Sequence, residues 1–158
     1  MMKTVLFASV FALIPITACS QAATDKAPAT AEQAASSSSQ VVSNADFATT
    51  NARLRAAIES RGLTLFNTID HAAGAAKVDL ELAPNTLYIF GNPKAGTPLM
   101  IANPDMGLHL PLKANIREQG GQVIVAVSDI RALASEPAPV VNKIAETLAA
   151  IQAEAAGQ

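Results

Sequence analysis

The chain of 158 residues contains no tryptophan, one tyrosine and a single cysteine. One cysteine excludes an internal disulfide framework and any zinc site built on several thiolates. With so few aromatic residues, a core must be aliphatic, with a handful of phenylalanines. Charge is sparse, at 15% of residues and a net of −2, and no basic block exists. Without a basic patch to neutralise phosphates, the expectation is no nucleic-acid partner. No Gly-x-Ser-x-Gly elbow, Ser-His-Asp order or glycine-rich nucleotide loop is present. A Cys-x-x-Cys-His motif for covalent haem is also lacking. No apolar run approaches the roughly 20 residues of a spanning helix.

What is present begins at the N-terminus. Lys3 supplies a positive charge, and Val5 to Ile16 is almost wholly apolar over about 12 residues, the length of a signal-peptide core. The run closes on Ile16-Thr17-Ala18-Cys19, which looks like a lipobox: an aliphatic residue, two small ones, then cysteine. The expectation is a lipoprotein signal peptide over 1–18 and lipidation of Cys19. A plain secretory peptide cut near Ala22 is the alternative. Several acyl chains on one cysteine hold a protein on a membrane where a single chain anchors only marginally. Ser20 follows the cysteine, which favours the periplasmic face of the outer membrane if the cell is Gram-negative. The protein is thus expected to be extracytoplasmic and lipid-anchored, its membrane partner reached through Cys19.

Residues 19–43 are rich in Ala, Ser, Thr and Gln, with Ser36 to Ser39 in a row. Few large apolar groups are there to offset ordering entropy, so the stretch reads as a flexible linker. The domain is expected over 44–156. Asn44 or Asp46 caps a helix that runs to Arg61 and stops at Gly62. Leu63 to Ile69 alternates as a strand, with Leu63, Leu65 and Ile69 on one side, and Ala72 to Ala76 forms a short turn of helix. A strand over Thr86 to Phe90 ends at Gly91-Asn92-Pro93. Thr97 caps a short helix with Pro98 at its first position. Leu108 to Arg117 alternates most clearly, with Leu108, Leu110, Leu112, Ala114 and Ile116 facing the core. Gly120-Gly121 makes a hairpin into Val123 to Ser128. Pro137 and Pro139 open a last helix whose apolar stripe is Val140, Ile144, Leu148 and Ile151. One-sided strands with helices imply an α+β fold: a small, mostly antiparallel sheet covered by helices on one face.

Between Gly62 and Asp129 four stretches carry a family resemblance. They are Phe66-Asn67-Thr68-Ile69-Asp70-His71, the run from Phe90-Gly91-Asn92-Pro93 through Gly96-Thr97-Pro98 to Met100, Leu108-His109-Leu110-Pro111-Leu112, and Val125-Ala126-Val127-Ser128-Asp129. In these the chain resembles the DUF302 (TT1751-like) domain family. The resemblance implies a compact α+β domain with no established general activity. Asp usually stands in that family where His109 stands here, and the segment after Asp129 is shortened.

Candidate site residues follow from strand ends and helix starts. His71 follows a strand and neighbours Asp70, which could orient its ring; a capping role within the turn is the plainer alternative. Gly91 and Asn92 end a strand at a loop. Thr97 would start a helix whose first N–H groups, at Leu99 and Met100, favour an anion, with Gly96 leaving room for it. A ligand site of Asp70, His71, Gly91, Asn92, Gly96 and Thr97 is therefore expected, the Gly91-Asn92-Pro93 loop and His71 lying side by side. The function this supports is a small-ligand binding or accessory module of the cell envelope, needing no cofactor, whose partner is an unidentified small ligand or envelope protein. As an alternative, His71 with Met100, Met106 and His109 offers imidazole and thioether ligands for haem b or a transition metal in an electron carrier or sensor. A third reading is a small acid–base enzyme using Asp70, His71 and Asn92.

Overall fold

Asp46 takes an extended backbone conformation, and its carboxylate accepts the N–H of Thr49 at 2.7 Å, which sets the start of the first long helix, Phe47–Ser60 (α1). This is seen in a computed structural model that describes residues 38–131 and 139–158. Gly62 follows the helix at φ +63°, the left-handed conformation expected of a terminator. The expected signal peptide, Cys19 and Pro137 lie outside the described residues.

Five strands form one antiparallel sheet in the order β1-β5-β4-β3-β2. They are β1 (Ser38–Val42), β2 (Thr64–Asp70), β3 (Asn85–Gly91), β4 (Leu112–Gln119) and β5 (Gln122–Ser128). Gly120 and Gly121 both adopt positive φ between Gln119 and its partner Gln122, the tight turn that the right-handed twist of a hairpin favours. The remaining helices are α2 (His71–Ala76), α3 (Pro93–Ala102), α4 (Met106–His109) and α5 (Pro139–Ala156). α1 and α5 pack on each other and on one face of the sheet. Leu54, Ile58, Phe90, Ile116, Val125, Leu148 and Ile151 fill the layer between them and are almost fully buried. The α+β architecture with helices on one face is as the alternation implied.

The opposite face carries Lys113, Asn115 and Arg117, alternating with the buried Leu112, Ala114 and Ile116. Arg117 donates to Gln40 Oε1 at 2.8 Å and to Asn115 Oδ1, and Asn115 donates to Asn85 Oδ1 at 2.6 Å. This polar ladder joins residues of three strands, β1, β4 and β3.

Four expectations are corrected here. The linker ends earlier than its composition suggests: Ser38–Val42 pairs with β5 over five residues as the edge strand. Gln152, buried on α5, donates to the carbonyls of Ser39 and Val125 and accepts from Ser39 Oγ, so small polar residues are held there by a helix. In β2 a bulge between Leu65 and Asn67 breaks the two-residue period, and Ile69 is exposed rather than in line with Leu65. The alternation from Leu108 is strand only from Leu112. Pro111 has no N–H to give a ladder, its bond to Leu110 is cis, and Leu108 and His109 belong to α4. Finally, the stripe on α5 is displaced by one residue at its start, with Val141 and Ala145 buried while Val140 is exposed and Ile144 half-buried.

Candidate functional site

The register of the sheet decides which candidate residues meet. β2 and β3 are antiparallel neighbours, with Thr64 opposite Gly91 and Asp70 opposite Thr86. His71 therefore leaves one end of the sheet and Asn92 leaves the other, about 20 Å apart at ~3.3 Å per residue. The expectation that His71 and the Gly91-Asn92-Pro93 loop share one site is overturned. It rested on parallel or next-but-one strands, and the hairpin-like antiparallel pairing reverses the exit. Asp70 accepts the N–H of Ala73 at 2.9 Å and caps α2, while His71 is exposed in the first turn of that helix. Asp70-His71 is thus a helix start, which leaves neither residue beside Asn92 for shared acid–base chemistry.

The same separation divides the candidate metal ligands. His71 lies at the far end from Met100, Met106 and His109, which sit on the α3–α4 hairpin. Met106 is 4% exposed and belongs to the hydrophobic core, filling it as a flexible apolar side chain does. His109 is half-buried at the end of α4, and its carbonyl accepts the Lys113 ammonium at 3.2 Å. Among the described residues no three His, Cys, Asp or Glu side chains gather as a metal would require.

The other candidates do converge. Asn92 is the true cap of α3: its side chain accepts the N–H of Lys94 at 2.9 Å, and Pro93 occupies the first position. The helix so begins earlier than the expected start at Thr97. Asn followed by Pro satisfies the same starting rule as Thr97-Pro98, and it comes first along the chain. Pro98 falls inside the helix, where its missing N–H leaves the ladder one bond short. The N–H groups of Leu99 and Met100 are consequently in the body of α3, and the expected anion site at them is not formed.

What Gly91, Asn92, Gly96, Thr97 and Met100 line instead is a groove of about 770 Å³ between α3 and the first half of α5. Its floor comes from the sheet end, with Leu63, Leu112 and the bulged Phe66. Leu110-Pro111 closes one side, and Val140, Ile144 and Ala150 of α5 the other. Two glycines, Gly91 and Gly96, border it. A Cβ on Gly96 would sit 3.5 Å from Leu110 Cδ1, and one on Gly91 3.5 Å from the Phe66 ring, each in ordinary van der Waals contact with a side chain that lines the groove. Polar groups stand at the margin: Arg61, Lys143, Glu146 and Thr147. Arg61 is held by the Ala57 carbonyl and by Glu154, both 2.8 Å from the same nitrogen. Lys143 enters no ion pair among the described residues.

The size and character of this groove fit a small-molecule site, which is typically apolar with a few polar groups placed to orient the ligand. The α5 half of it escaped the sequence reading. Val140 and Ile144 were legible as apolar at helical spacing, but that Val140 is exposed and Ile144 half-buried against the core, both lining the groove, is set by tertiary packing. Phe66 was legible as the odd residue of β2; the bulge that turns it to the groove was not.

Comparison with known proteins places this geometry. A solved structure described as an uncharacterised conserved DUF302 protein from Bacillus stearothermophilus superimposes with a TM-score of 0.70 at 18% identity. It covers 77% of this chain and 99% of its own, and so shows the shared fold. Fluoride-specific ion channel FluC 1 proteins of Brucella suis and Brucella abortus are 42% identical over 90 residues, 56% of this chain. The chain spans about a third of the length of these curated relatives, 35% and 33% respectively. The model of the domain of unknown function DUF302 matches residues 39–155, almost the whole of the described sheet and its helices, and the chain belongs to that family.

Proposed function

We propose that this protein is a lipid-tethered module of the cell envelope that binds a small amphiphile, with its hydrocarbon part in the groove between α3 and α5. The observation that carries the reading is the groove itself: an apolar trough whose charged side chains, Arg61, Lys143 and Glu146, stand at its margin. Such a lining disfavours a strongly hydrated ion or a sugar, whose polar groups would lose water without gaining partners. It favours an acyl or similar hydrocarbon chain, at about 25 cal/mol per Å² of apolar surface removed from water. Lys143, which enters no ion pair among the described residues, then suits an anionic head group at the rim.

The tether supports the same setting. The Ile16-Thr17-Ala18-Cys19 pattern reads as a lipobox, and the Brucella relatives, whose name is that of an ion channel, join a segment like this one to a longer chain. A match of 90 residues must fall mainly on the DUF302 domain, since too few residues lie outside it to hold the match. The apolar groove does not suit fluoride, so what those relatives lend is a membrane setting and not a ligand.

The test is native mass spectrometry of the domain isolated from cells, followed by organic extraction. An amphiphile should accompany the wild type and be lost from Ala150→Phe, which fills the groove from an exposed position on α5. If both forms carry nothing, and fatty acids offered to the wild type do not compete with a groove-binding dye, the reading fails. A Soret band in the isolated protein would instead put haem in contention, ligated from the α3–α4 hairpin without His71.

A further inference from the structure

The groove has two unlike ends. α5 runs along it and contributes Val140, Lys143, Ile144, Thr147 and Ala150, which share one face of the helix. Arg61, with Leu63 two residues on, marks the end beside Ala150, because Arg61 bonds to Glu154, one turn further along α5. The charge of Arg61 is met within the protein: the same nitrogen binds the Ala57 carbonyl and the Glu154 carboxylate, each at 2.8 Å. Lys143 stands about two turns before Ala150. It is exposed and enters no ion pair among the described residues. The groove therefore offers an uncompensated positive charge toward the start of α5, and a neutralised pair with apolar Leu63 and Ala150 at the other end.

The margin near Lys143 also limits how much charge a head group can bring. Glu146 lies one turn after Lys143 and lines the same groove. The Thr147 hydroxyl donates to the Lys143 carbonyl at 2.8 Å, so its proton is already committed. A carboxylate adds one negative charge, which the single ammonium balances. A phosphate monoester adds about −1.5 to −2 at neutral pH, which leaves an excess beside Glu146. Length follows from the helix. Ala150 follows Lys143 by seven positions, about 11 Å at ~1.5 Å per residue. An extended hydrocarbon advances ~1.3 Å per carbon, from C–C bonds of about 1.5 Å at near-tetrahedral angles. That distance takes about eight methylenes.

We propose that the groove selects single-chain monocarboxylates of about ten carbons, held with the carboxylate at Lys143 and the tail toward Leu63 and Ala150. The proposal rests on the reading of the groove as an amphiphile site and adds to it a head-group charge, a chain length and a direction. The tail gives most of the affinity, roughly fourfold per methylene removed from water. The head gives selectivity, about two- to fivefold, as an exposed ion pair does.

The test uses the full-length Cys19→Ser chain, purified without detergent and stripped of bound lipid on a hydrophobic resin. It is titrated calorimetrically with probes kept below their micelle concentrations. Decanoate should bind about two- to fivefold tighter than methyl decanoate and than decyl phosphate. Lys143→Gln should remove that preference and Lys143→Arg restore it, with unchanged melting curves because the side chain is exposed. Added salt should narrow the gap between decanoate and its ester, since it screens the charge and not the tail. Across saturated acids of increasing length, affinity should climb steeply to about ten carbons and then level. Ala150→Val, at the tail end, should move that plateau to shorter acids, and Ala150→Phe should abolish binding. Equal binding of all three head groups, or a preference that survives Lys143→Gln, would overturn the proposal while leaving the groove an amphiphile site. A plateau unmoved by Ala150→Val would overturn the direction. No binding of any probe, or decanoate binding untouched by Ala150→Phe, would overturn both the proposal and the reading beneath it.

Discussion

At Asp46 a single carboxylate fixes where the first helix starts. The backbone N–H and then the hydroxyl of Thr49 hold its pKa below the ordinary carboxylate value of 3.8. A folded-state pKa that is lowered stabilises the fold above the unfolded value, and that contribution is lost as pH falls through the folded value. Asp46→Asn should keep the cap but flatten the acid side of the stability curve below about pH 4, as seen by melting temperature against pH. Asp46→Ala should lower the melting temperature by a few degrees at neutral pH as well. A pH profile unchanged in Asp46→Asn would show that other carboxylates govern acid unfolding. This residue was legible in advance, because a cap is a local matter of one side chain and three residues. Gln152 was not: nothing in a helical run of Ala, Ile and Gln indicates that one glutamine will be 3% exposed and hydrogen-bonded to two strands.

Among the elements, the turns and helix stops were the easiest to read and the non-local pairings the hardest. Gly62, Gly120-Gly121 and the strand from Val123 announce themselves through backbone chemistry or alternation. β1 does not, since Ser38-Ser39-Gln40-Val41-Val42 has the composition of the linker and becomes a strand only through its partners in β5 and α5. The start of α3 was misplaced for a related reason, two Asn/Thr-Pro starts lying five residues apart. The pairing of β1 makes a stability prediction. Gln152→Met keeps the volume of the side chain but leaves the carbonyls of Ser39 and Val125 without their donor, and should cost about 1–3 kcal/mol in urea unfolding. Deleting residues 38–42 should cost more, because it also bares the edge of β5 and removes Val41 from beside the core. Deleting residues 21–33, which include no large apolar side chain, should change the midpoint little. Equal loss from both deletions would mean that the earlier residues pack too.

For the whole molecule, half of the candidate site was visible in the sequence. The Gly91-Asn92 to Met100 run was singled out and does line the groove, although through a helix that starts elsewhere. His71 and Asp70 failed because strand direction cannot be read from a strand's own residues: an antiparallel neighbour sends its exit to the opposite end. The tether carries its own expected outcome. Cys19→Ser should release the protein from membranes on washing, with wild type remaining in the detergent fraction, and mature wild type should show the added mass of acyl chains at its first residue. A mature wild type that begins after Ala22 without lipid would replace the anchor with simple secretion.

The seating of β1 also has a mechanical side. If the domain is held by the segment before Ser38, any drag on it passes into the sheet through the first residue of an edge strand. Pulled along its axis, that strand cannot peel bond by bond; its five pairings with β5 must slide together, and load is shared among them. Ser39, one residue in from the loaded end, is pinned through both its hydroxyl and its carbonyl by Gln152. The first slip along β1 therefore has to break the grip of a helix as well as a ladder. The point of attachment is then a rivet rather than a seam, and force applied through a tether would reach α5 before it could open the core.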